Sequence, residues 1–366
     1  MRSVAPDPIP LLTVSGTHRE VGAQVGAACA GAIRDSVDFD NKIPDGRTRE
    51  EQLALADRYR EVTAAAYPWF IEELEGAAEA AAVDPRALFA ADVEEIWYPP
   101  YARRLEGRCT DLVVAPPLTE GDRILVAHNN DMPRTYQEQL FAIEWHVEGD
   151  PVVLSIGNGL WMSAGWNSAG LSFTGNELAP LDEKVGIPRE VQFRAMLRQP
   201  SMELALREAL RPDRASSYNH VVASREGEVV NVEGSATDAE LTSVDALGAL
   251  VHTNHYVCDR MLRYEGDPDY VPHSSARYRR ASELVSQQPP GTVTVERLRA
   301  FLSDHEGAPD CLCRHPERWG GSKDSATAFW CVADVTEMRV SFGRGNPCDS
   351  IAQEYAFDAA SPAGPR

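Results

Sequence analysis

Cys109 opens the segment Arg108-Cys109-Thr110-Asp111-Leu112-Val113-Val114-Ala115, which places a thiol at the head of an apolar run. After a turn, a second apolar run ends in His128-Asn129-Asn130-Asp131. A cysteine nucleophile needs a base close to its sulfur. A chain cut just before Cys109 would supply one, because the freed α-amine has an unperturbed pKa of about 7.7–8.0. One residue would then carry both nucleophile and base. Asp131 is positioned to hold the resulting ammonium or to orient the thiol. Three more clusters follow, two closing segments of strand character and one at a helix start. In Thr174-Gly175-Asn176-Glu177 the Asn176 amide or a backbone N–H can meet a developing oxyanion. In His252-Thr253-Asn254-His255 the two histidines fall on opposite faces of an extended chain, so Asn254 is the more useful group. In Ser274-Ser275-Ala276-Arg277-Tyr278, at a helix start, Arg277 can brace a carboxylate or the site itself.

The elements that must position these residues change character at Cys109. Residues 1–108 read as a helical leader after one short strand. Thr17-His18-Arg19-Glu20 forms a capping box before an Ala-rich helix to about Arg34. Further helices are expected over Thr48–Ala66, Pro68–Ala82 and from Asp84-Pro85 through Trp97. Residues 109–366 then alternate short apolar strands with Gly, Asp and Pro turns, interrupted by helix pairs at about 189–211 and 275–303. Strands followed by grouped helices predict an α+β layered domain, with leader and body forming one integrated globular unit.

Composition narrows the function. The chain has 366 residues, 43% of them hydrophobic, with a net charge of −21. That acidity argues against nucleic acid, whose phosphates need a basic footprint. No apolar run approaches the ~18–20 residues that span a bilayer, so no membrane contact is expected. The N-terminal residues lack the apolar centre of a signal peptide, and a cytoplasmic location is the expectation. Seven scattered cysteines are an odd number and do not form a secreted disulfide framework.

A lone cysteine is more often a small buried hydrophobe than a nucleophile. The pattern around Cys109 outweighs that reading, because six motifs in order resemble one family. Gly16-Thr17-His18-Arg19-Glu20-Val21-Gly22 with Gly26, then Cys109-Thr110 with Asn129-Asn130-Asp131, open the series. Gly165-Trp166-Asn167-Ser168-Ala169-Gly170-Leu171 and Thr253-Asn254-His255 continue it, and Asp304-His305-Glu306-Gly307 and Cys313-Arg314-His315-Pro316 close it. Together they resemble the acyl-coenzyme A:6-aminopenicillanic acid acyltransferases (isopenicillin N acyltransferases) of the autoproteolytic N-terminal-nucleophile (Ntn) hydrolase superfamily, over most of the chain.

The resemblance implies a four-layer α/β/β/α sandwich, a nucleophile at Cys109, Asp131 near its α-amine and an oxyanion donor at Asn254. Similarity to the related bile-salt and penicillin V hydrolases adds Asn176 and Arg277 to the catalytic set. It also implies cleavage between Arg108 and Cys109, giving an α/β heterodimer of the chain's own fragments, with further homo-oligomerisation possible. Two departures stand out. Arg108 replaces the glycine usual before the nucleophile, and His128 occupies a position where the bile-salt relatives carry arginine. Substrate contacts are expected from His128, Trp161, Trp166, Trp97, Tyr98 and His255. The expected reaction is hydrolysis of a small N-acyl amide through a Cys109 thioester. N-acyl transfer from a coenzyme A thioester is the alternative, and an uncleaved binding protein of the same fold is a third. No resident cofactor is expected. Cys311-Leu312-Cys313-Arg314-His315, with Asp310 and His305 nearby, offers soft metal ligands. Its Cys-x-Cys spacing is shorter than a zinc knuckle's and no second pair follows, so no metal is expected either.

Overall fold

The computed structural model describes residues 6–97, 108–315 and 325–357. The leader begins with β1 (Leu11–Gly16), then α1 (His18–Ala28) and α2 (Ala30–Val37). Both halves of the Thr17–Glu20 capping box form. The single helix expected to Arg34 is broken at Cys29, whose φ of −100° and ψ of 17° end the first piece. Next come α3 (Arg49–Ala66), capped by Thr48 and Glu51, and α4 (Pro68–Ala81), with Pro68 in its first turn. α5 (Pro85–Asp92) stops short of Trp97, which instead follows a 3₁₀ turn at Glu94–Ile96.

The body contains β2 (Arg108–Val114), β3 (Leu125–Pro133), the short α6 (Arg134–Glu138), β4 (Phe141–Val147), β5 (Val153–Asn158), β6 (Trp161–Asn167) and β7 (Leu171–Asn176). It continues through α7 (Arg189–Leu197), α8 (Met202–Ala209), β8 (Asn219–Ser224), β9 (Val229–Gly234), β10 (Ala239–Thr242) and β11 (Ala249–His252). α9 (Val271–Ser286), α10 (Val295–Leu302), β12 (Ser325–Asp334), β13 (Arg339–Arg344) and β14 (Gln353–Ala356) complete it. α9 starts four residues before the expected Ser275, on Pro272 in its first turn.

The strands form two sheets. One has the order β1-β4-β5-β6-β7-β8-β9-β10, with β1 parallel to β4 and the rest antiparallel. The other runs β11-β2-β3-β12-β13-β14, all antiparallel. Alternation along the strands sends one face inward and one outward. Ala142, Leu154, Ile156, Trp166 and Val221 of the first sheet meet Val113, Val126, Cys331 and Phe342 of the second in a shared core. The outward face of the first sheet, including Ile143, Trp145 and Phe173, packs on α1–α5, α7 and α8. The second sheet's outward face, with Leu112, Leu125, Ala127 and Val332, packs on α9 and α10 through Ala281, Val285, Leu298 and Phe301. The result is the expected four layers, helices on sheet on sheet on helices. The leader is inseparable from the first sheet's packing, since β1 pairs with β4 and its helices share one core with Trp145 and Phe173.

Candidate active site

β2 and β3 pair in a register that sets Cys109 opposite Asn130 and Arg108 opposite Asp131. Because side chains alternate, Cys109, Asn130, Asp111 and His128 share one face of the second sheet, whereas Thr110, Asn129 and Asp131 share the other. The main chain of Cys109 is clamped from the helix side. Its N–H donates to Asn254 Oδ1 at 2.8 Å, and its carbonyl accepts from the Arg277 guanidinium at 2.6 Å. Arg277, fully buried on α9, also donates to Thr110 Oγ1 (2.9 Å), Asn254 Oδ1 (2.8 Å) and the Tyr270 hydroxyl (2.7 Å). Asn254 is fixed in turn by its N–H to Ser274 Oγ (2.8 Å) and its Nδ2 to the Glu177 carbonyl (3.1 Å).

The thiol points into a cavity between the sheets' ends and the leader, lined beside it by Asn130, Ser163, Gly175 and Glu177. Asn130 Nδ2 donates to Cys109 Sγ at 3.4 Å and to Ser163 Oγ. Burial pushes the Cys109 thiol well up, Asp111 and Asp131 push it further, and Arg277 pulls the other way. The thiol is therefore held protonated and needs a base. Asp131, on the opposite face, accepts from Thr327 Oγ1 at 2.7 Å, and Thr327 Oγ1 accepts from the Arg314 N–H at 3.0 Å.

The cavity has two characters. Ile33, Phe39 and Leu88 of the leader face Leu160, Met162 and Phe193 of the body across an apolar lobe, with Trp97 and Trp161 beside it. Another wall carries Asp92, Glu94, Glu177 and Glu190. Burial, reinforced by Glu94, pushes the Asp92 carboxyl up to about 7 and also raises Glu190. Arg189 spans this wall, donating to Glu94 at 2.6 Å, Glu177 at 2.9 Å and the Leu178 carbonyl at 2.9 Å.

The structure thus brings together Cys109, Asn254, Arg277 and, through the strand pair, Asp131. It redistributes the other expected residues. Trp161 and Trp97 line the cavity. Trp166 does not: it is 1% exposed and packs between the two sheets. His128 is a correction of the same kind, fully buried with its Nδ1 3.0 Å from Asp111 Oδ1. His255 lies on the α9 side, where its Nδ1 is 2.8 Å from Ser274 Oγ, and burial pushes it down to about 4. Asn176 is fully buried and stands 3.0 Å from His252 Nδ1, while its neighbours Gly175 and Glu177 face the cavity. Tyr98 falls outside the described residues. Asn130 and Ser163 are site residues that the letters alone do not single out. A signal for Asn130 exists, because antiparallel pairing from Cys109 puts one residue of the Asn129-Asn130-Asp131 trio across from the thiol.

A family model described as acyl-coenzyme A:6-aminopenicillanic acid acyl-transferase matches residues 118–348. The chain belongs to that family. The acyl-coenzyme A:6-aminopenicillanic-acid-acyltransferase 40 kDa form of Emericella nidulans is 24% identical to it over 342 residues, covering 92% of each chain. Among solved structures, a mutant of the conjugated bile acid hydrolase from Clostridium perfringens aligns with a TM-score of 0.43 and 11% identity, over 68% of this chain and 97% of that one. Penicillin V acylase from Agrobacterium tumefaciens aligns with a TM-score of 0.41 and 15% identity, over 64% and 83%. Membership places this chain in a family of acyl-transferring enzymes. Among the described residues no helix is long and apolar enough to cross a membrane.

Proposed function

We infer that this chain is a self-processing cysteine amidohydrolase, soluble in the cytoplasm, that cleaves a small N-acyl amide through a Cys109 thioester. The observation that carries the reading is the clamp on the Cys109 main chain by Asn254 and Arg277, with the thiol turned into the cavity. In the first stage the thiol adds to the Arg108 carbonyl and the Arg108–Cys109 C–N bond breaks. The thiol proton ends on the departing nitrogen, leaving a thioester. Water then hydrolyses the thioester to the Arg108 carboxylate and a free thiol. Asn254 Oδ1 already faces the Cys109 nitrogen and would accept from the new α-amine.

In the second stage that amine takes the thiol proton and the sulfur adds to the substrate carbonyl. Asn254, with a backbone N–H, supports the oxyanion. The leaving amine takes the proton back, and water, deprotonated by the same α-amine, releases the free acid. The apolar lobe suits the acyl group. The wall of carboxyls spanned by Arg189 suits a polar leaving group, and water, always present as an acceptor, favours hydrolysis over transfer from a coenzyme A thioester. Acyl transfer to an amine is the second reading, favoured by the acyl-transferase activity that gives the family and the Emericella relative their names. Processed enzyme incubated with a panel of N-acyl amides, with and without added amine acceptors and acyl-coenzyme A, separates the two by mass spectrometry. Free acid formed at a rate independent of acceptor is expected. Amide product that requires acyl-coenzyme A would replace the hydrolase reading with the transferase.

A further inference from the structure

Far from Cys109 in sequence, the chain gathers four soft ligands from three segments. His305 follows α10, Cys313 and His315 sit on the loop before β12, and Cys348 lies between β13 and β14. One ligand atom from each falls within 4.8 Å of all the others. The Cys313 and Cys348 sulfurs are 3.6 Å apart, and His315 Nε2 lies 3.4 Å from the first and 3.2 Å from the second. A disulfide would need the sulfurs at about 2.0 Å. A tetrahedron built on Zn–S bonds of about 2.3 Å and Zn–N bonds of about 2.0–2.1 Å has edges of ~3.8 Å between sulfurs and ~3.6 Å between sulfur and nitrogen. The observed separations are close to those edges. Two thiolates and two imidazoles in a tetrahedral set select zinc over hard or square-planar ions.

We propose that His305, Cys313, His315 and Cys348 form a structural zinc site. Four protein ligands leave no open position, so the ion is a staple and not a Lewis acid for the reaction. Cys348, the exposed member, gives it an entry path. The staple has a specific purpose. Arg314, between two ligands, exchanges main-chain and hydroxyl hydrogen bonds with Thr327 at 3.0 and 3.2 Å, and its carbonyl accepts from Asn346 Nδ2 at 2.8 Å. Thr327 holds Asp131. The same loop supplies the Leu312 carbonyl that accepts from Asn129 Nδ2 at 2.8 Å. Zinc would thus fix the loop that backs the strand carrying Asn130 and Asp131. Cys-x-Cys spacing hides the site, because Cys311 turns its thiol to the Cys313 carbonyl while the second thiolate comes from Cys348.

Elemental analysis of the full chain from zinc-supplemented culture is expected to give about one zinc per chain. X-ray absorption at the zinc edge is expected to show two sulfur and two nitrogen neighbours. Cys348→Ser and His315→Gln should each lower the content to below about 0.2 per chain, while Cys258→Ser, outside the cluster, keeps it. Zinc below that level in the wild type, a first shell without two sulfurs, or a mass showing Cys313 joined to Cys348 would overturn the proposal. Absorption on wild type decides the matter even where a variant fails to fold. None of these readouts depends on Cys109 chemistry.

Discussion

Cys109 and the groups that clamp it act as a unit, so each should fail in its own way. Arg277 carries four hydrogen bonds from a planar fork: to the Cys109 carbonyl, the Thr110 hydroxyl, Asn254 and Tyr270. A lysine keeps the charge and loses the fork. Arg277→Lys should therefore slow both processing and turnover, seen as persistent intact chain in denaturing mass spectra. Asn254→Ala removes the partner of the Cys109 nitrogen and the proposed oxyanion donor. On the fraction that is cleaved, kcat should drop about 10²–10³-fold with little change in KM, as measured by steady-state kinetics on an N-acyl amide. At this scale most of the site is legible in the sequence. A cysteine at a strand head and polar residues ending neighbouring strands are visible in the letters. Which face each residue takes is not. His128 is therefore expected in the cavity, although pairing turns it onto Asp111 inside the sandwich.

Two features of the elements explain why these strands and helices meet where they do. α1 crosses α4 at three glycines: a Cβ on Gly22 would lie 2.0 Å from the Glu73 carbonyl oxygen, one on Gly26 2.3 Å from that of Ala77, and one on Gly76 2.2 Å from that of Arg19. Backbone cannot give way as a flexible side chain does. Gly26→Ala should cost at least about 1–3 kcal/mol, read as a lower urea midpoint with the unfolding slope unchanged. The two tryptophans of β6 provide a contrast. Trp166→Ala hollows the inter-sheet core and should cost about 3–5 kcal/mol with KM unaffected in the folded fraction. Trp161→Ala, on the cavity wall, should raise KM with little loss of stability, by the same two measurements. The central strands and capped helices can be read from alternation and from Thr17 and Thr48. β10 and β14 cannot. They are short edge strands whose exposed faces break the apolar alternation, so pairing with β9 and β13 makes them strands.

At the scale of the whole molecule, the leader supplies one wall of the cavity, including Ile33, Phe39 and Leu88, and one strand of the first sheet. Cleavage would not release it, and both fragments should elute together in gel filtration without denaturant. The fold also buries neutral imidazoles. His220, stacked on Phe193, is pushed down to about 3 and His255 to about 4, chiefly by burial. Both depressions are for groups with an unfolded pKa near 6.5, so the stability they hold is full above that pH and lost as pH falls toward about 4. The unfolding midpoint should decline across that window, and His220→Phe, which keeps a ring and removes the titration, should flatten the decline. The four layers follow from resemblance together with element order. The His305–Cys348 cluster follows only in part: His305, Cys313 and His315 stand together in the sequence, whereas Cys348 joins them only through the packing of β12 to β14.

The central claim, that Cys109 becomes the N-terminal nucleophile, is tested most directly by intact mass under denaturing conditions. Wild type and Cys109→Ala should be compared after iodoacetamide treatment. Wild type should give two fragments, residues 1–108 and 109–366, with Cys109 alkylated, and Cys109→Ala a single intact chain. An intact wild-type chain with an unreactive Cys109, a break elsewhere, or equal cleavage of Cys109→Ala would contradict it.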